Sequence, residues 1–347
     1  MKRISLIVLL ICLNVQLFSQ IWDSLPGYAH NWTKTMYTIN DLLYVSGSFD
    51  GTNPIGPPSE RIATWDSLNW GIVPGVENFM FGGAYTFLVY NGVKYVGGNF
   101  RIGDMMDYFE NVAYFEDNTW HQLGNSGFPN GDIYDILPYN GKLYIGGTFS
   151  SIGNEDYWCL VSWDGSNYEQ VPGFNMWCRA LVEYNGMLIA GGMYGTVATE
   201  SGNDPCIAAW DGNTWHSILS NAQIGGFVKH MIVDSINNDL YVGGDYGISI
   251  DGTVTESISR YDGERWYHLS GGIPYGGIYP KAMCMYHREL YLGGNIDSIN
   301  NETYNYLARW DGESFHHVGG GVSDEVEALY EYKDHLSRPK IGLHKKV

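Results

Sequence analysis

Residues 143–168 read LYIGGTFSSIGNEDYWCLVSWDGSNY, and this stretch decides the fold because its two landmarks recur along the chain. A short apolar segment ends in glycine, and an aromatic pair follows it. The glycine element occurs six times at intervals of 45 to 52 residues, ending at Gly47, Gly98, Gly147, Gly192, Gly244 and Gly294. The aromatic pair keeps step with it, always five residues apart: Trp65/Trp70, Phe115/Trp120, Trp163/Tyr168, Trp210/Trp215, Tyr261/Trp266 and Trp310/Phe315. Two landmarks in step through six copies indicate a repeat architecture.

Each repeat predicts four strands. The apolar segment before the glycine element ends in Asn91-Gly92, Asn140-Gly141 or Asn185-Gly186, which are signals for tight type I′ hairpins. The remaining copies have Asn40-Asp41, Asn237-Asn238 and His287-Arg288 at this place. Asp-Gly within the aromatic pair marks a second tight hairpin. Two hairpins per unit, repeated radially, describe a propeller blade, and a solenoid fits four antiparallel strands at this period less well.

We therefore predict an all-β fold, a β-propeller of four-stranded antiparallel blades with six complete blades and a partial seventh. Gln20–Leu25 resembles the fourth strand of a blade, and Val326–Leu336 resembles a seventh first strand. Because the pattern stops after Leu336, we expect that a seventh blade is begun and lost, and the alternative is that six full blades close without it. The predicted organisation is a signal peptide at 1–20, the propeller at 21–336 and an aberrant tail at 337–347.

Residues 1–20 predict export. Two basic residues, Lys2 and Arg3, precede an apolar run over 6–13, which is the layout of a secretory signal peptide. The run is far shorter than the ~20 residues that cross a bilayer, so we expect no membrane span. A buried N-terminal strand is the alternative, and the basic flank favours the signal. The expected location is secreted or at the cell surface.

Composition restricts the class and the partners. The chain of 347 residues has 45 Gly, 12 Trp, 27 Tyr and 13 Phe, and only 16% charged residues. A disordered chain, a coiled coil and a collagen are each excluded by that balance. The formal net charge of −19 argues against binding to nucleic acid or to an anionic membrane. The expected partner is an extracellular protein or a glycan.

Four cysteines follow the predicted signal peptide: Cys159, Cys178, Cys206 and Cys284. Four in more than 300 residues do not make a disulfide framework, and none has CxxC metal spacing. We expect small buried apolar side chains, and the disulfide state stays open.

The glycine doublets with the aromatic pair resemble the kelch repeat. The doublets are Gly97-Gly98, Gly146-Gly147, Gly191-Gly192, Gly243-Gly244 and Gly293-Gly294. The pattern YxGGxF…WDGxxW is similar to the kelch-like repeats of secreted bacterial surface proteins and fungal cortical-marker proteins, over about residues 35–336. The aromatic pair has a shorter turn than ordinary kelch, and blade 1 has Ser46-Gly47 in place of the doublet. The resemblance implies the architecture and a broad binding role only.

Residues that recur in every repeat are interpreted as structural, because packing between neighbouring sheets explains them. The structural set is Gly98, Gly147, Gly192, Gly244, Gly294, Trp65, Trp120, Trp163, Trp210, Trp215, Trp266 and Trp310. Recognition is expected instead in the long connections between second and third strands, since loops on a rigid scaffold collect binding residues.

These connections hold carboxylates beside aromatic rings, which suits sugar stacking with hydroxyl acceptors. The candidate ligand-binding residues are Asp104, Asp107, Tyr108, Glu155, Asp156, Tyr157, Trp158, Asp204, Asp251, Asp297 and Tyr304. Clustered acids also suit Ca²⁺, although no connection matches the EF-hand pattern. The alternative is that the acids only keep the protein soluble. No cofactor is predicted, and no metal ligand is assigned.

The function predicted from sequence is a non-catalytic binding or adhesion module whose ligand is a protein or a carbohydrate. The alternative is a propeller enzyme acting on carbohydrate, glycosidase-like, with acidic residues of the long-connection face. No catalytic residue is assigned. The repeat-register histidines His121, His216 and His316 lie on outermost strands, where they do not converge on one metal.

Overall fold

The computed structural model describes residues 23–24, 33–47, 61–75, 79–104, 106–269, 280–299, 302–322, 325–332 and 335–338. All regular structure in these residues is β, in 31 strands that begin with β1 (Asp23–Ser24). The described ranges contain no helix of the length and apolarity that crossing a membrane requires. The predicted signal peptide lies outside them.

Six four-stranded antiparallel sheets follow one another along the chain. Blade 1 comprises β2 (Thr33–Ile39), β3 (Leu42–Gly47), β4 (Ile62–Trp65) and β5 (Trp70–Ile72). Blade 2 comprises β6 (Phe79–Tyr90), β7 (Val93–Gly103), β8 (Tyr108–Glu116) and β9 (Thr119–Gln122). Blade 3 comprises β10 (Ile133–Tyr139), β11 (Lys142–Gly147), β14 (Leu160–Trp163) and β15 (Tyr168–Gln170), with the small hairpin β12 (Ser151–Ile152) and β13 (Glu155–Asp156) between its second and third strands.

The second half of the ring repeats this plan. Blade 4 comprises β16 (Phe174–Tyr184), β17 (Met187–Thr199), β18 (Gly202–Trp210) and β19 (Trp215–His216). Blade 5 comprises β20 (Ala222–Asp234), β21 (Asp239–Ile250), β22 (Thr253–Tyr261) and β23 (Trp266–His268). Blade 6 comprises β24 (Pro280–Tyr286), β25 (Glu289–Gly294), β28 (Leu307–Trp310) and β29 (Phe315–His317), with the hairpin β26 (Ser298–Ile299) and β27 (Glu302–Thr303). The six-bladed propeller is as the sequence predicts.

The first hairpin of most blades has the expected geometry. Asn140 and Gly141 have φ of 47° and 77°, the positive pair that a type I′ turn needs. Asn237-Asn238 is the exception, because a four-residue loop joins β20 to β21 there. Asp234 holds that loop by accepting the N–H groups of Ile236 and Asn237.

The second hairpin is held by its aspartate. Asp211 Oδ1 accepts the N–H groups of Asn213 and Thr214 at 2.7 and 2.8 Å, and Asp164 does the same in blade 3. These hydrogen bonds lower the pKa of both carboxyl groups, with the His216 ring adding the largest effect at Asp211. The WDG aspartates are therefore turn-forming groups.

The hydrophobic core lies between blades. Five of the buried clusters join two neighbouring blades, as in the one that joins Ile207 of blade 4 to Trp266 of blade 5. The other two join blade 1 or blade 6 to residues of the segment between them. In blades 4 and 5 the second aromatic also donates a hydrogen bond to the connection that enters its blade: Trp266 Nε1 to the Ile218 carbonyl at 2.6 Å and Trp215 Nε1 to the Pro172 carbonyl at 2.8 Å. The seven tryptophans of the structural set are all buried.

The glycine doublets allow close approach on two sides. A Cβ on Gly146 would lie 2.5 Å from Sγ of Cys178 in the next blade, and a Cβ on Gly192 would lie 1.7 Å from the Trp177 carbonyl oxygen of its own blade. The first glycine thus makes room for a neighbouring sheet and the second for its own inner strand. All four cysteines in the described residues are buried free thiols.

The partial seventh blade is not confirmed. The space between blades 6 and 1 holds residues 325–329, β30 (Tyr330–Tyr332) and β31 (His335–Arg338). β1 pairs with β31, but in parallel, so it is not the antiparallel fourth strand that the sequence predicts. Val326 and Leu329 nevertheless pack over Gly293 as Cys178 packs over Gly146. This segment therefore covers the open side of blade 6.

Candidate functional site in the central channel

Every blade has a β-bulge at the same place in its inner strand, the first strand of the blade. The pairing register shifts by one residue between Thr33 and Thr35 in blade 1, for example. The extra residues, here called the bulge residues, are Lys34, Tyr85, Tyr134, Arg179, Lys229 and Lys281. Bulges re-aim side chains and recur next to binding sites.

The bulge residues meet on the propeller axis. All six line one cavity of about 590 Å³, together with Glu327 of the segment between blades 6 and 1. A cavity that takes one residue from each blade must be the central channel. Its size lies in the range of small-ligand pockets.

The channel is basic in an acidic protein. Four bulge residues are cations, whereas the chain has a net charge of −19. On one side Glu327 forms ion pairs with two of them, because its carboxylate lies 3.2 Å from Lys34 Nζ and 2.6 Å from Lys281 Nζ. Glu325 adds a second carboxylate on Lys281. These contacts lower the pKa of Glu327 against the opposing effect of its burial.

On the opposite side one cation, Arg179, has no ion-pair partner among the described residues, and it is called uncompensated in this sense. The Arg179 guanidinium lies 3.7 Å from the centroid of the Tyr134 ring, a cation–π contact. Tyr134 in turn stacks on Tyr85 with 5.7 Å between ring centroids. No carboxylate of the described residues pairs with Arg179, and its Nε is buried without a hydrogen-bond partner there. Lys229, the neighbouring bulge residue, has a pKa lowered by burial.

Two titratable groups sit beside the bulge residues. Asp135 Oδ2 accepts the Leu181 N–H of the next blade at 2.8 Å, and burial raises the pKa of Asp135 to about 6. Burial and the nearby cations Arg179 and Lys229 lower the pKa of His230 to about 3. His230 is therefore neutral at pH 7, and it adds no charge to the channel.

Aromatic rings precede the cationic bulge residues of blades 4 and 5 on their inner strands. Trp177 and Phe227 each precede a cationic bulge residue by two positions, on the inner strands of blades 4 and 5. Tyr194 lies between them, with its ring centroid 4.9 Å from each. Trp177 is 42% exposed and Tyr194 is 67% exposed. Rings that are this exposed are available to stack against a ligand.

None of the eleven residues predicted to bind ligand lines the channel. In blade 2, Asp104 accepts the Met106 and Asp107 N–H groups, so it closes its own turn. Tyr108 lies under Arg101, with 3.9 Å from the guanidinium to the ring centroid. These residues have partners within their own hairpin.

In blades 3 and 6 two of the predicted residues are equivalent. Tyr157 and Tyr304 donate to the carbonyls of Tyr168 and Phe315, each the second aromatic of its blade. Tyr304 is buried as well, so both rings pack within the blade. The remaining predicted residues of these blades are exposed: Glu155, Asp156, Trp158 and Asp297.

In blades 4 and 5 the predicted carboxylates lie apart from one another. Asp251 pairs with Arg265 at 2.9 Å on the surface. Asp204 lines a second cavity, of about 630 Å³, with Ser201 and Gln223, and its Oδ2 is buried without a hydrogen-bond partner in the described chain. Nowhere in the described ranges do three or more His, Cys, Asp or Glu side chains gather as a metal site would require.

Sequence reasoning missed the bulge residues, although a signal for them exists. In five of six blades the bulge residue stands thirteen positions before the last glycine of the next strand, so it shares the repeat register. Its backbone position recurs, whereas its side chain varies between Lys, Arg and Tyr. Its variable side chain lies in a repeating position, and not in the non-repeating connections where binding residues are expected.

No family model matches this chain, and no curated protein matches it. Among solved structures, the computationally designed Ika8 protein is 13% identical, covering 92% of this chain and 96% of its own, with a TM-score of 0.47. YjhT is also 13% identical, covering 91% of this chain and 99% of its own, with a TM-score of 0.44. The strand pairing defines the class of this protein, a six-bladed β-propeller. The two similar structures give no information about its ligand.

Proposed function

We propose that this chain is a secreted or cell-surface binding module whose ligand, a glycan or an extracellular protein, engages the central channel on the side of blades 4 and 5. The observation that carries the proposal is the uncompensated Arg179, which lines the channel with Lys229. The exposed Trp177 precedes it by two positions on the same strand. Preformed concave sites with a few convergent polar groups are the usual ligand sites of such scaffolds.

Binding is favoured over glycoside hydrolysis by the state of the channel carboxyl groups. A glycosidase needs an acid and a second carboxylate, both directed at the substrate. Asp135 already accepts a backbone N–H, and Glu327 is held by two lysines. Neither carboxyl group is therefore directed at a substrate, as glycoside hydrolysis requires.

Binding is tested on a glycan array and a panel of extracellular proteins, with the purified wild-type chain and Arg179→Gln. We expect at least one ligand whose binding is lost in the variant, because the guanidinium is the cation that the protein leaves uncompensated. Arg265→Gln is the matched control, since Arg265 forms a surface pair with Asp251. Equal binding by all three chains to every ligand found would refute a channel site.

The predicted export is tested separately, through the mass of the product secreted by cells expressing the full chain. Cleavage near residue 20 supports it, and retention of the intact N-terminus inside the cell contradicts it.

A further inference from the structure

We infer that the ligand of the channel is an acidic saccharide, whose carboxylate pairs with Arg179 and whose ring stacks on the aromatic cluster of Trp177, Tyr194 and Phe227. The inference rests on the proposed binding function and names its ligand class. The charge and the size of the channel support it, together with the aromatic cluster that Tyr194 forms with Trp177 and Phe227 of the inner strands.

The positive charge of the channel favours an anionic ligand. The channel already binds carboxylates on its other side, where Glu327 lies between Lys34 and Lys281. The guanidinium of Arg179 presents the planar fork that matches a carboxylate with two hydrogen bonds. With its Nε buried and unpartnered within the described chain, Arg179 lacks the anion that the lysines have.

The size of the channel favours a compact ligand. The cavity of about 590 Å³ is enclosed by six inner strands, so it admits one or two rings. An acidic peptide would bind as an extended chain along a groove, and the channel is closed around its circumference. The compact group favoured by this shape is a sugar ring that carries its own carboxylate.

The aromatic cluster supplies the second contact. Trp177 and Tyr194 meet edge to face at 87°, so their ring faces point in different directions. Aromatic faces that remain accessible stack against the apolar C–H face of a sugar. The same aromatic-x-cation pattern occurs in sequence at Trp32-Thr33-Lys34 and Tyr279-Pro280-Lys281, where the aromatic residue lies outside the described chain.

The experiment is calorimetric titration with two tetrasaccharides that differ only at the terminal sugar, glucuronate in one and glucose in the other. We expect the acidic one to bind at least tenfold more tightly, since charge-assisted hydrogen bonds contribute roughly 10- to 100-fold. Its affinity should fall as salt is raised. Arg179→Gln should remove this preference and Arg265→Gln should keep it.

Trp177→Ala tests the stacking contact against Trp158→Ala, an exposed tryptophan of blade 3. We expect weaker binding, by about tenfold, for the first variant only. Equal affinity for both tetrasaccharides, or equal loss in both tryptophan variants, overturns the inference. Thermal unfolding of each variant shows whether it is folded, and Arg179→Lys provides a second variant that keeps the charge.

Failure here is distinguishable from failure of the binding function. If inorganic sulfate or an acidic peptide binds in an Arg179-dependent way and neither saccharide does, the saccharide assignment is wrong and the channel site stands. If no ligand of the array depends on Arg179, both are wrong.

Discussion

The outer strands and the inner strands of this propeller use the same repeat in opposite ways. At the outer edge the residue type recurs with the position, as in Trp215 and Trp266, which lock equivalent connections. In the channel the bulge recurs, but its side chain changes from blade to blade. A repeat can therefore fix the place of a side chain without fixing its chemistry, and in the channel that chemistry differs from copy to copy.

The largest effect is expected at the outer edge. Trp266→Ala removes a ring that is 1% exposed and leaves the Ile218 carbonyl without its donor, so the free energy of unfolding should fall by about 3–5 kcal/mol. Urea denaturation measures this. Trp158→Ala, at a position 60% exposed, is the control and should change stability little. A small effect at Trp266 would contradict the structural interpretation of the repeat aromatics.

Two buried groups of the channel make the stability of the fold depend on pH, in opposite directions. Because burial raises the pKa of Asp135 to about 6, the folded state holds a proton that the unfolded state releases near pH 4, and stability falls as pH rises from 4 to 6. His230, with a pKa lowered to about 3, acts in the opposite direction, so stability rises through the same window. In the wild-type chain the two contributions offset each other.

Single variants separate the two groups. Asp135→Asn should leave a stability that increases by about 1.4 kcal/mol per pH unit between pH 4 and 6, and His230→Gln should leave a decrease of similar size. Urea denaturation at pH 4, 5 and 6 measures both slopes. Identical slopes in the two variants would contradict the burial of these groups.

A smaller effect is expected at the glycine that accommodates the bulge. Gly192→Ala places a Cβ 1.7 Å from the Trp177 carbonyl oxygen, and relieving the overlap should cost about 1–3 kcal/mol. Gly225→Ala is the matched control, because nothing lies within 4 Å of its added Cβ. Denaturation midpoints that are equal in the two variants would show that the doublet does not support the bulge.

The smallest effect on stability is expected at Arg179. Arg179→Gln loses a cation–π contact with Tyr134, so the free energy of unfolding should change by no more than about 1 kcal/mol. A loss as large as that of Trp266→Ala would make Arg179 part of the scaffold, and the contrast between outer edge and channel would fail.

Much of the fold could be predicted because hydrophobic and turn signals are local. The spacing of the repeat predicts Gly97-Gly98 at the end of the second strand and a hairpin at Asn91-Gly92. Both hairpin residues have the positive φ that this turn requires. The parallel pairing of Asp23 with Ser337 could not be predicted, since it joins distant segments without a repeat signal. The surroundings of Ser46, which replaces the first glycine of a doublet, could not be predicted either. Ser46 is buried and pairs with Thr35, directly after the bulge at Lys34.

The candidate site was harder to predict than the fold. Tyr304 was expected to bind ligand, yet its hydroxyl donates a hydrogen bond to the Phe315 carbonyl within the same blade. The register position of Arg179 recurs in sequence, but its place on the axis follows from a bulge that depends on pairing between two strands. Convergence of six single residues from six blades is a property of the closed ring.

The central claim is tested most directly by anomalous diffraction from crystals of this protein soaked in bromide. The strongest bromide site should lie in the channel in contact with Arg179, and it should disappear in crystals of Arg179→Gln. Bromide bound only around the outer edge, with an empty channel, would contradict the account.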